Sequence, residues 1–288
     1  MIVSKIVGGL GNQLFCYAAG KSLAERLNVP FKIDIRAYDD YKLHAYALEN
    51  FAISAAIANA NECAYTSPAS TLKKIWQHLS GKRPDLKLYQ EQGLQFNKQL
   101  LTLPANSYLS GYWQCEKYFS SAAEVIRQEF SFKDEPDAMN ADMLTQIRNS
   151  KSISVHIRRG DYISNPSANA VHGICELDYY QQAATYLANK LNTELSFYVF
   201  SDDPEWVKQH LHLSGNTIYV AHNNAVQNHE DLRLMSACEH HIIANSTFSW
   251  WGAWLNPSSQ KIVIAPKQWF KDPNYDASDL VPASWIRL

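Results

Sequence analysis

The first 35 residues follow an order of elements that restricts the chain to the α/β class. Residues 2–7 form a short apolar run rich in β-branched side chains, and the glycine turn Gly8-Gly9-Leu10-Gly11 follows it. Residues 13–27 carry apolar side chains at helical spacing, and residues 31–35 alternate as a strand does. Strand, helix and strand in this order predict a parallel βαβ unit. Its glycine turn lies at the carboxyl end of the first strand, where open parallel sheets bind ligands.

The same order of elements returns in the second half of the chain. Strands are predicted at residues 152–157, 196–200, 241–244 and 262–265, and helices at 179–191, 231–238 and from 249 onward. A polar and acidic stretch at 131–150 lies between the halves, and the alanine-rich residues 52–60 are predicted to be helical. We therefore predict an α/β fold of two Rossmann-like domains facing a cleft, over residues 1–135 and 136–288. The C-terminal end of the second domain can pack back on the first domain in such a fold.

Composition excludes several classes of protein. Lys and Arg total 26 against 28 acidic residues, a net charge of -2, which argues against a general nucleic-acid binder. The five cysteines are scattered without a C-x-x-C pair, which predicts reduced thiols rather than disulfides or a zinc site. No apolar run reaches the roughly 18 residues of a membrane helix, and the apolar start is too short for a signal peptide. We therefore predict a cytoplasmic protein, with a peripheral contact at the inner face of the membrane left open.

The glycine turn is the first candidate binding element. Its glycines predict that the backbone can approach a ligand closely. Their spacing differs from that of G-x-G-x-x-G and of a P-loop, so the turn does not indicate which ligand binds. Gly9 and Gly11 are the candidate positions for this approach. Asn12 and Gln13 add side-chain amides at the helix start, where Asn12 is also a candidate cap. A tight turn that only needs a positive φ is the alternative interpretation.

The segment His-Ile-Arg-Arg-Gly-Asp at residues 156–161 is the sharpest signal. An arginine fork grips two phosphate oxygens and keeps its charge near neutrality, so an arginine after a strand is a candidate diphosphate clamp. Strand alternation places His156 and Arg158 on one face and Arg159 on the other. We expect Asp161 to pair in part with one arginine and Arg158 to serve the ligand. A purely structural ion pair is the alternative.

Two further segments follow predicted strands. Asp202 and Asp203 can accept hydrogen bonds from guanine or ribose, and Asp203 can cap the helix that begins at Pro204. Their spacing is not that of a D-x-D metal motif, so no metal is predicted. The second segment places hydroxyls at a helix start, which favours an anion; it comprises Asn245, Ser246, Thr247, Phe248 and Ser249.

Several neighbouring residues are predicted to be structural. The tryptophans of the following helix span more than one helical face, so at least one must pack in the core, Trp251 and Trp254 above all. His240 and His241 are consecutive on a strand and point to opposite faces. They are therefore predicted to be packed or hydrogen-bonded histidines rather than a metal pair.

Together these segments resemble the bacterial α-1,2-fucosyltransferases of glycosyltransferase family 11. The resemblance rests on GGLGNQLF (8–15), HIRRGDY (156–162), FSDDPEW (200–206) and LRLMSACEHHIIANSTFSWWGAWLN (232–256), in the family's order. Cys16 departs from the polar residue expected there. The resemblance implies a glycosyltransferase-B fold with an acceptor-side first domain and a GDP-fucose-binding second domain. It also implies inverting transfer of L-fucose from GDP-β-L-fucose to the 2-hydroxyl of a terminal galactose, without metal or other cofactor.

The resemblance assigns roles as well. The acceptor is a galactoside-terminated oligosaccharide or lipid-linked glycan, and the arginines of the 156–161 segment contact the donor diphosphate. The aspartates at 202 and 203 and the 245–249 segment hold the nucleotide, with Gly9, Gly11, Gln13 and His156 as further donor contacts. For catalysis, our own hypothesis is that Arg158 and the helix start at 246–249 stabilise the leaving diphosphate, and that Asn12 or Gln13 orients acceptor or phosphate. Asp161 is the nearest motif carboxylate for the role of base, although an arginine partner would weaken it as a base.

Other functions stay open at this point. One is a different GDP-fucose-dependent enzyme, such as a protein O-fucosyltransferase, although no secretory signal or cysteine-rich context favours it. Another is a non-catalytic protein that binds glycans or nucleotides, against which the complete charged segments at 158–161 and 202–203 speak. A histidine phosphatase would need an exposed imidazole on a loop, whereas His156 is predicted within a strand.

Overall fold

The structure, a computed structural model, describes residues 1–40, 43–63, 86–160, 163 and 165–288. The chain divides into two compact units, Met1–Ser131 and Phe132–Leu288. The boundary proposed from the sequence falls four residues later, after residue 135.

Within the described residues, the first unit holds a sheet of five parallel strands. They are β1 (Ile2–Lys5), β2 (Phe31–Asp34), β3 (Ala56–Ile57), β4 (Lys87–Gln90) and β5 (Ser107–Ser110), in the order β3-β2-β1-β5-β4. The helix α1 (Leu10–Leu27) connects β1 to β2, which confirms the predicted βαβ unit, and α2 (Ala123–Glu129) follows β5. The strand order reverses between β1 and β5. At such a point the loops diverge and an open parallel sheet forms its ligand crevice.

The predicted helix at residues 52–60 is wrong. This stretch contains β3, which pairs in parallel with β2, Ala56 lying opposite Lys32. The amide of Ala58 then donates to the carbonyl of Ile33 at 2.8 Å. The edge of β2 offers backbone partners, and such tertiary pairing overrides the helix propensity of alanine, which is high but amounts to only a fraction of a kcal/mol per residue.

The described part of the second unit holds a parallel sheet of six strands. They are β6 (Ser152–Ile157), β7 (Ser196–Ser201), β8 (Asn216–Val220), β9 (His240–Ile242), β10 (Val263–Ala265) and β11 (Ile286–Arg287). Their order, β11-β10-β9-β6-β7-β8, is that of a doubly wound nucleotide-binding sheet, with its crevice where β6 meets β9. The end of the chain contributes β11 and so completes this sheet.

Helices surround the second sheet. They are α3 (Ala138–Arg148), α4 (Pro166–His172), α5 (Leu177–Leu191), α6 (Pro204–His210), α7 (Asn228–Ala237) and α8 (Thr247–Leu255). The predicted helices and strands of this half are confirmed to within a few residues at their ends. The strand β7 is buried on both faces, which explains its continuous apolar run Phe197–Phe200.

Aromatic residues fill the core beside α8. The Trp250 ring lies 5.0 Å from that of Trp251 and 5.3 Å from that of Trp285, and its Nε1 donates to the carbonyl of Leu280 at 2.9 Å. Trp250, Trp251 and Trp254 are all buried, as expected of a helix that is apolar on every face. The three tryptophans of α8 therefore have a packing role.

The consecutive histidines of β9 are also structural, which confirms that prediction. His241 shares hydrogen bonds with Ser154 Oγ at 2.8 Å and with the side-chain amide of Asn256 at 3.0 Å. His240 Nδ1 accepts the amide of Ile262 at 3.0 Å. The five cysteines, all within the described residues, are thiols. In the described ranges no helix is both long and apolar enough to span a membrane.

Candidate active site

The charged segment at 156–161 leaves β6 at the reversal point of the second sheet. Val155 of β6 lies opposite Ile242 of β9, so the residues that follow the two strands run out side by side. His156 is 5% exposed, and its ring lies 5.6 Å from the ring of Phe248 in the first turn of α8. The fold thus brings together two segments that lie about 90 residues apart in the sequence.

A carboxylate from the neighbouring strand fixes this turn. Asp202 follows β7, and its Oδ2 lies 2.7 Å from Nη1 of Arg158. Its Oδ1 accepts the backbone amide of Arg159 at 2.8 Å. A Cβ on Gly160 would come within 2.5 Å of Oδ2, so only glycine leaves room for this carboxylate. Asp202 therefore orients Arg158.

Sequence reasoning missed this pairing. It assigned the arginine partner to Asp161, which lies outside the described residues, and it assigned Asp202 to the nucleotide. The register of β6 and β7, with Ile157 opposite Ser201, places the two turns next to each other. Adjacency of strands that follow one another in an α/β unit is the signal that would have indicated the pair.

Arg159 makes its contacts within the protein. Its guanidinium lies 3.2 Å from the ring centroid of Trp206 in α6, and its Nε donates to Asp203 Oδ2 at 3.1 Å. Asp203 stands at the N-cap position of α6, but its side chain makes no capping hydrogen bond. The predicted side-chain cap is wrong because the carboxylate is taken by the guanidinium, which offers a charged donor in place of a backbone amide.

The start of α8 presents backbone amides at the crevice. Ser246 is the N-cap residue, and the first amide with a helical acceptor is that of Trp250, which donates to the carbonyl of Ser246 at 3.0 Å. The amides of the first turn, those of Thr247, Phe248 and Ser249, precede it. Such amides and the helix dipole favour an anion. The predicted anion-binding element is thus a nine-residue helix with its N-terminus beside β6.

Asn245 holds loops together. Its side-chain nitrogen donates to the carbonyls of His172 at 2.9 Å, Trp269 at 3.1 Å and Gly173 at 3.4 Å. The residue is buried at the end of β9. These hydrogen bonds hold the end of α4 and the segment after β10 next to the crevice. The side chain of Asn245 therefore lies beneath the surface that a ligand would touch.

We expect Asn245→Asp to destabilise the second unit. The carboxylate oxygen that replaces the amide nitrogen has no proton to donate, so it would face three carbonyl oxygens. An unsatisfied buried polar group costs about 1–3 kcal/mol, and more when it is charged. Urea unfolding measures the loss. Asn189→Asp, at an exposed position of α5, is the control. Equal stability of the two variants would contradict the role assigned to Asn245.

His156 is neutral at physiological pH. Its Nδ1 is buried and has no hydrogen-bond partner in the described part of the chain. Burial lowers the pKa of His156 to about 4, with the Asp202 charge opposing this effect and the Arg158 charge adding to it. The imidazole therefore packs beside Phe248 as an uncharged group.

This shift makes the stability of the second unit dependent on pH. The native state takes up the proton near pH 4 and the unfolded chain near pH 6.5, so stability falls as the pH falls through this interval. His156 alone is expected to lower the free energy of unfolding by about 2 kcal/mol between pH 7 and pH 5. Unfolding curves at the two pH values test this. His156→Gln should reduce the difference by about that amount, whereas the exposed His212→Gln should not.

The glycine turn of the first unit has the predicted positive φ, +79° at Gly8. Gly9 is the N-cap residue and α1 begins at Leu10, so Gly11 and Asn12 lie in the first turn, and the prediction that Asn12 caps the helix is wrong. A Cβ on Gly9 would come within 3.4 Å of the His44 ring. The side chains beyond the turn therefore approach the backbone closely.

Gln13 anchors the segment that follows β2. It is fully buried, its Nε2 donates to the carbonyls of Gly8 at 3.0 Å and Ala45 at 2.8 Å, and its Oε1 accepts the amide of Ala47 at 2.9 Å. Asn12 is half-buried and accepts a hydrogen bond from Gln114 at 2.8 Å. Of the two side-chain amides predicted to contact a ligand, that of Gln13 is thus hydrogen-bonded to backbone groups. The side chain of Asn12 remains half-buried at the edge of the sheet.

The comparison with known proteins agrees with this architecture. The sequence matches glycosyl transferase family 11 over residues 2–288. The chain belongs to this family. It is therefore a glycosyltransferase, and the predicted family is confirmed.

Across residues 1–40, 43–63, 86–160, 163 and 165–288, no three His, Cys, Asp or Glu residues cluster as a metal site would.

Two bacterial relatives of this family 11 glycosyltransferase span its whole length, and a human relative matches half of it. It is 35% identical to an alpha-1,2-colitosyltransferase of Escherichia coli, covering 100% of this chain and 99% of the relative. It is 32% identical to the O-antigen biosynthesis glycosyltransferase WbnK of Escherichia coli, covering 99% of each. Human galactoside alpha-(1,2)-fucosyltransferase 1 is 26% identical over 51% of this chain and 42% of its own.

The fold resembles that of solved fucosyltransferases. NodZ alpha-1,6-fucosyltransferase from Bradyrhizobium, soaked with GDP-fucose, superposes with a TM-score of 0.53 at 17% identity, over 89% of this chain and 92% of that one. The predicted two-domain α/β class of glycosyltransferase-B type is confirmed.

Proposed function

We propose that this family 11 glycosyltransferase is an inverting, metal-independent α-1,2-fucosyltransferase that moves L-fucose from GDP-β-L-fucose to the 2-hydroxyl of a terminal galactose. The observation that carries the proposal is Arg158, which Asp202 orients at the reversal point of the second sheet beside the N-terminus of α8. A guanidinium has five N–H donors, so a carboxylate and a diphosphate can share it. The full-length family relationship and the human galactoside relative support the transfer of a deoxy sugar to galactose.

The proposed reaction needs a stabilised leaving group. The bond from the fucose anomeric carbon to the diphosphate oxygen breaks, and GDP keeps the electron pair. Arg158 and the amides of the first turn of α8 are suited to that developing charge, since donors fixed in advance need no reorganisation. The galactose 2-hydroxyl attacks from the opposite face, which inverts the anomeric centre, and its proton passes to a base. Asp161, our sequence-based candidate for the base, lies outside the described residues.

Colitosyl transfer is a second candidate for the donor. The relative at 35% identity is a colitosyltransferase, whereas the human fucosyltransferase matches over half of the chain. Colitose is the 3-deoxy analogue of fucose, so the two donors differ by one hydroxyl. A site that hydrogen-bonds the 3-hydroxyl rejects the analogue strongly, and one that leaves it without a partner accepts both.

One experiment distinguishes these functions. Purified protein is incubated with GDP-fucose or GDP-colitose and with β-galactosides, an N-acetylglucosaminide and a serine/threonine peptide, each with and without EDTA, and the linkage is located by NMR. We expect transfer from GDP-fucose to the galactose 2-hydroxyl that EDTA leaves unchanged. Loss of transfer with EDTA would contradict metal independence, and exclusive use of GDP-colitose would favour the second donor. Peptide fucosylation would indicate an O-fucosyltransferase, and GDP binding without turnover would indicate a binding protein.

A further inference from the structure

The reversal point of the first sheet carries a composite surface. The glycine turn follows β1, and residues 111–114 follow the adjacent β5. The helix α1, which begins in this turn, is bonded to the loop, because Gln114 Nε2 donates to Asn12 Oδ1 at 2.8 Å and Cys16 Sγ donates to the carbonyl of Gly111 at 3.2 Å. The turn and the loop therefore form one surface at the carboxyl edge of the sheet, where a ligand of an open parallel sheet is expected.

A carboxylate from the neighbouring β4 holds this loop in place. Oε2 of Glu91 accepts the backbone amide of Tyr112 at 2.6 Å, and Oε1 accepts that of Trp113 at 2.9 Å. A Cβ on Gly111 would come within 2.3 Å of the Glu91 Cβ, so the loop passes against Glu91 only because residue 111 is glycine. Glu91 thus grips two consecutive amides of the loop.

The loop is held in a conformation that its own residues disfavour. Trp113 has φ +56°, in the left-handed region that a bulky side chain rarely adopts. Its Nε1 is buried and has no hydrogen-bond partner among the residues that the structure describes. Strain and an unsatisfied donor persist only where the surroundings impose them, and they concentrate at ligand sites. The residue before it, Tyr112, is 39% exposed although it lies between a buried strand and a buried tryptophan.

We propose that Tyr112, a residue that is 39% exposed, provides the ring on which the acceptor sugar stacks, and that Glu91 is the positioning residue that presents it. A pyranose has an apolar face of C–H groups that fits an aromatic ring, and a β-galactoside carries such a face at carbons 3 to 5. The half-buried Asn12 at the same edge can accept or donate to the sugar hydroxyls. The inference rests on the proposed function, because it assumes a glycan acceptor.

Replacing the ring tests the stacking surface. Tyr112→Ala is expected to raise the KM for a β-galactoside on the order of tenfold, the size of one aromatic contact. The KM for the sugar nucleotide and its hydrolysis without acceptor should not change. Tyr112→Phe should restore the acceptor KM. Tyr275→Ala, which removes a ring that is 44% exposed in the second unit, is the matched control. An unchanged acceptor KM in folded Tyr112→Ala would overturn the proposal.

Glu91→Gln tests the positioning role. The amide can accept only one of the two backbone hydrogen bonds and sets an N–H against the other, so the loop should relax. We expect a several-fold rise in the acceptor KM with an unchanged KM for the sugar nucleotide, whereas Glu124→Gln, on the exposed face of α2, should alter neither. Equal effects on both KM values would indicate a general structural role for Glu91 and contradict the assignment.

Direct binding separates this inference from the proposed function. Saturation-transfer NMR with methyl β-galactoside is recorded on the wild-type chain and on Tyr112→Ala. Loss of the signal in the variant supports the stacking surface even if fucose is not the sugar transferred. Equal signals in both chains would reject the surface while leaving fucosyl transfer intact. Failure of transfer from GDP-fucose, together with a galactoside signal that depends on Tyr112, would reject the proposed function alone.

Discussion

Arg158→Lys is expected to lower kcat for sugar transfer by about 10²–10³, the usual loss when one fixed donor to a developing negative charge is removed. Lysine keeps the positive charge but replaces a planar fork with a single ammonium, which cannot hold Asp202 and a diphosphate in the same geometry. The pair with Asp202 at 2.7 Å shows that orientation, as well as charge, is built into this position.

Initial rates at saturating donor and acceptor measure this effect, with circular dichroism and thermal unfolding to confirm the fold. Arg148→Lys is the control, because Arg148 is an exposed arginine in the last turn of α3 of the same unit. Near-normal turnover by a folded Arg158→Lys protein would rule out a clamp on the leaving diphosphate.

Asp202→Asn is expected to weaken donor binding and turnover together by about 10–100-fold, as the loss of charged hydrogen bonds costs about 1.5–3 kcal/mol. The carboxylate holds both Arg158 and the amide of Arg159, and a neutral amide can retain only one of them. Asp203→Asn is the matched comparison, since among the residues that the structure describes its carboxylate pairs with the Arg159 side chain and not with Arg158. We expect the smaller loss there.

The base of the nucleotide distinguishes two roles for Asp202. If Asp202 orients Arg158, the variant loses affinity for GDP and for IDP by the same factor, because both share the diphosphate. If Asp202 instead accepts the guanine N2 amino group, the wild-type chain prefers GDP over IDP and the variant loses that preference. Calorimetric titration with the two nucleotides measures the ratio, and the geometry of the arginine pair favours an unchanged ratio.

Local patterns predicted the first βαβ unit, and four strands and three helices of the second unit. Ser196–Ser201 carries a continuous apolar run between its two serines, and Ser152–Ile157 alternates polar and apolar side chains, so the pattern and length of both strands are visible in the chain. The failure at residues 52–60 has the opposite origin. Alanine carries little pattern of its own, and the edge of β2 decided its conformation.

The site was predictable in its segments and not in its pairings. Glycine turns, arginines after a strand and hydroxyls before a helix are local, and the chain carries them in a recognisable order. Which carboxylate meets which arginine depends on strand adjacency, so Asp202 rather than a residue of the same motif is seen to orient Arg158. The same limit applies to Gln13 and Asn245, whose amides reach backbone carbonyls that are remote in the chain.

Glu91 is the clearest case of the difference. Nothing around Lys87–Gln90 marks the next residue as important, because its partners, the amides of Tyr112 and Trp113, come about 20 residues later and become neighbours only when β4 and β5 pair. The first βαβ unit and the family were legible in the linear sequence, since each rests on side chains close together in the chain. Contacts between the ends of adjacent strands required the folded sheet, because hydrogen bonds depend on distances that local patterns do not encode.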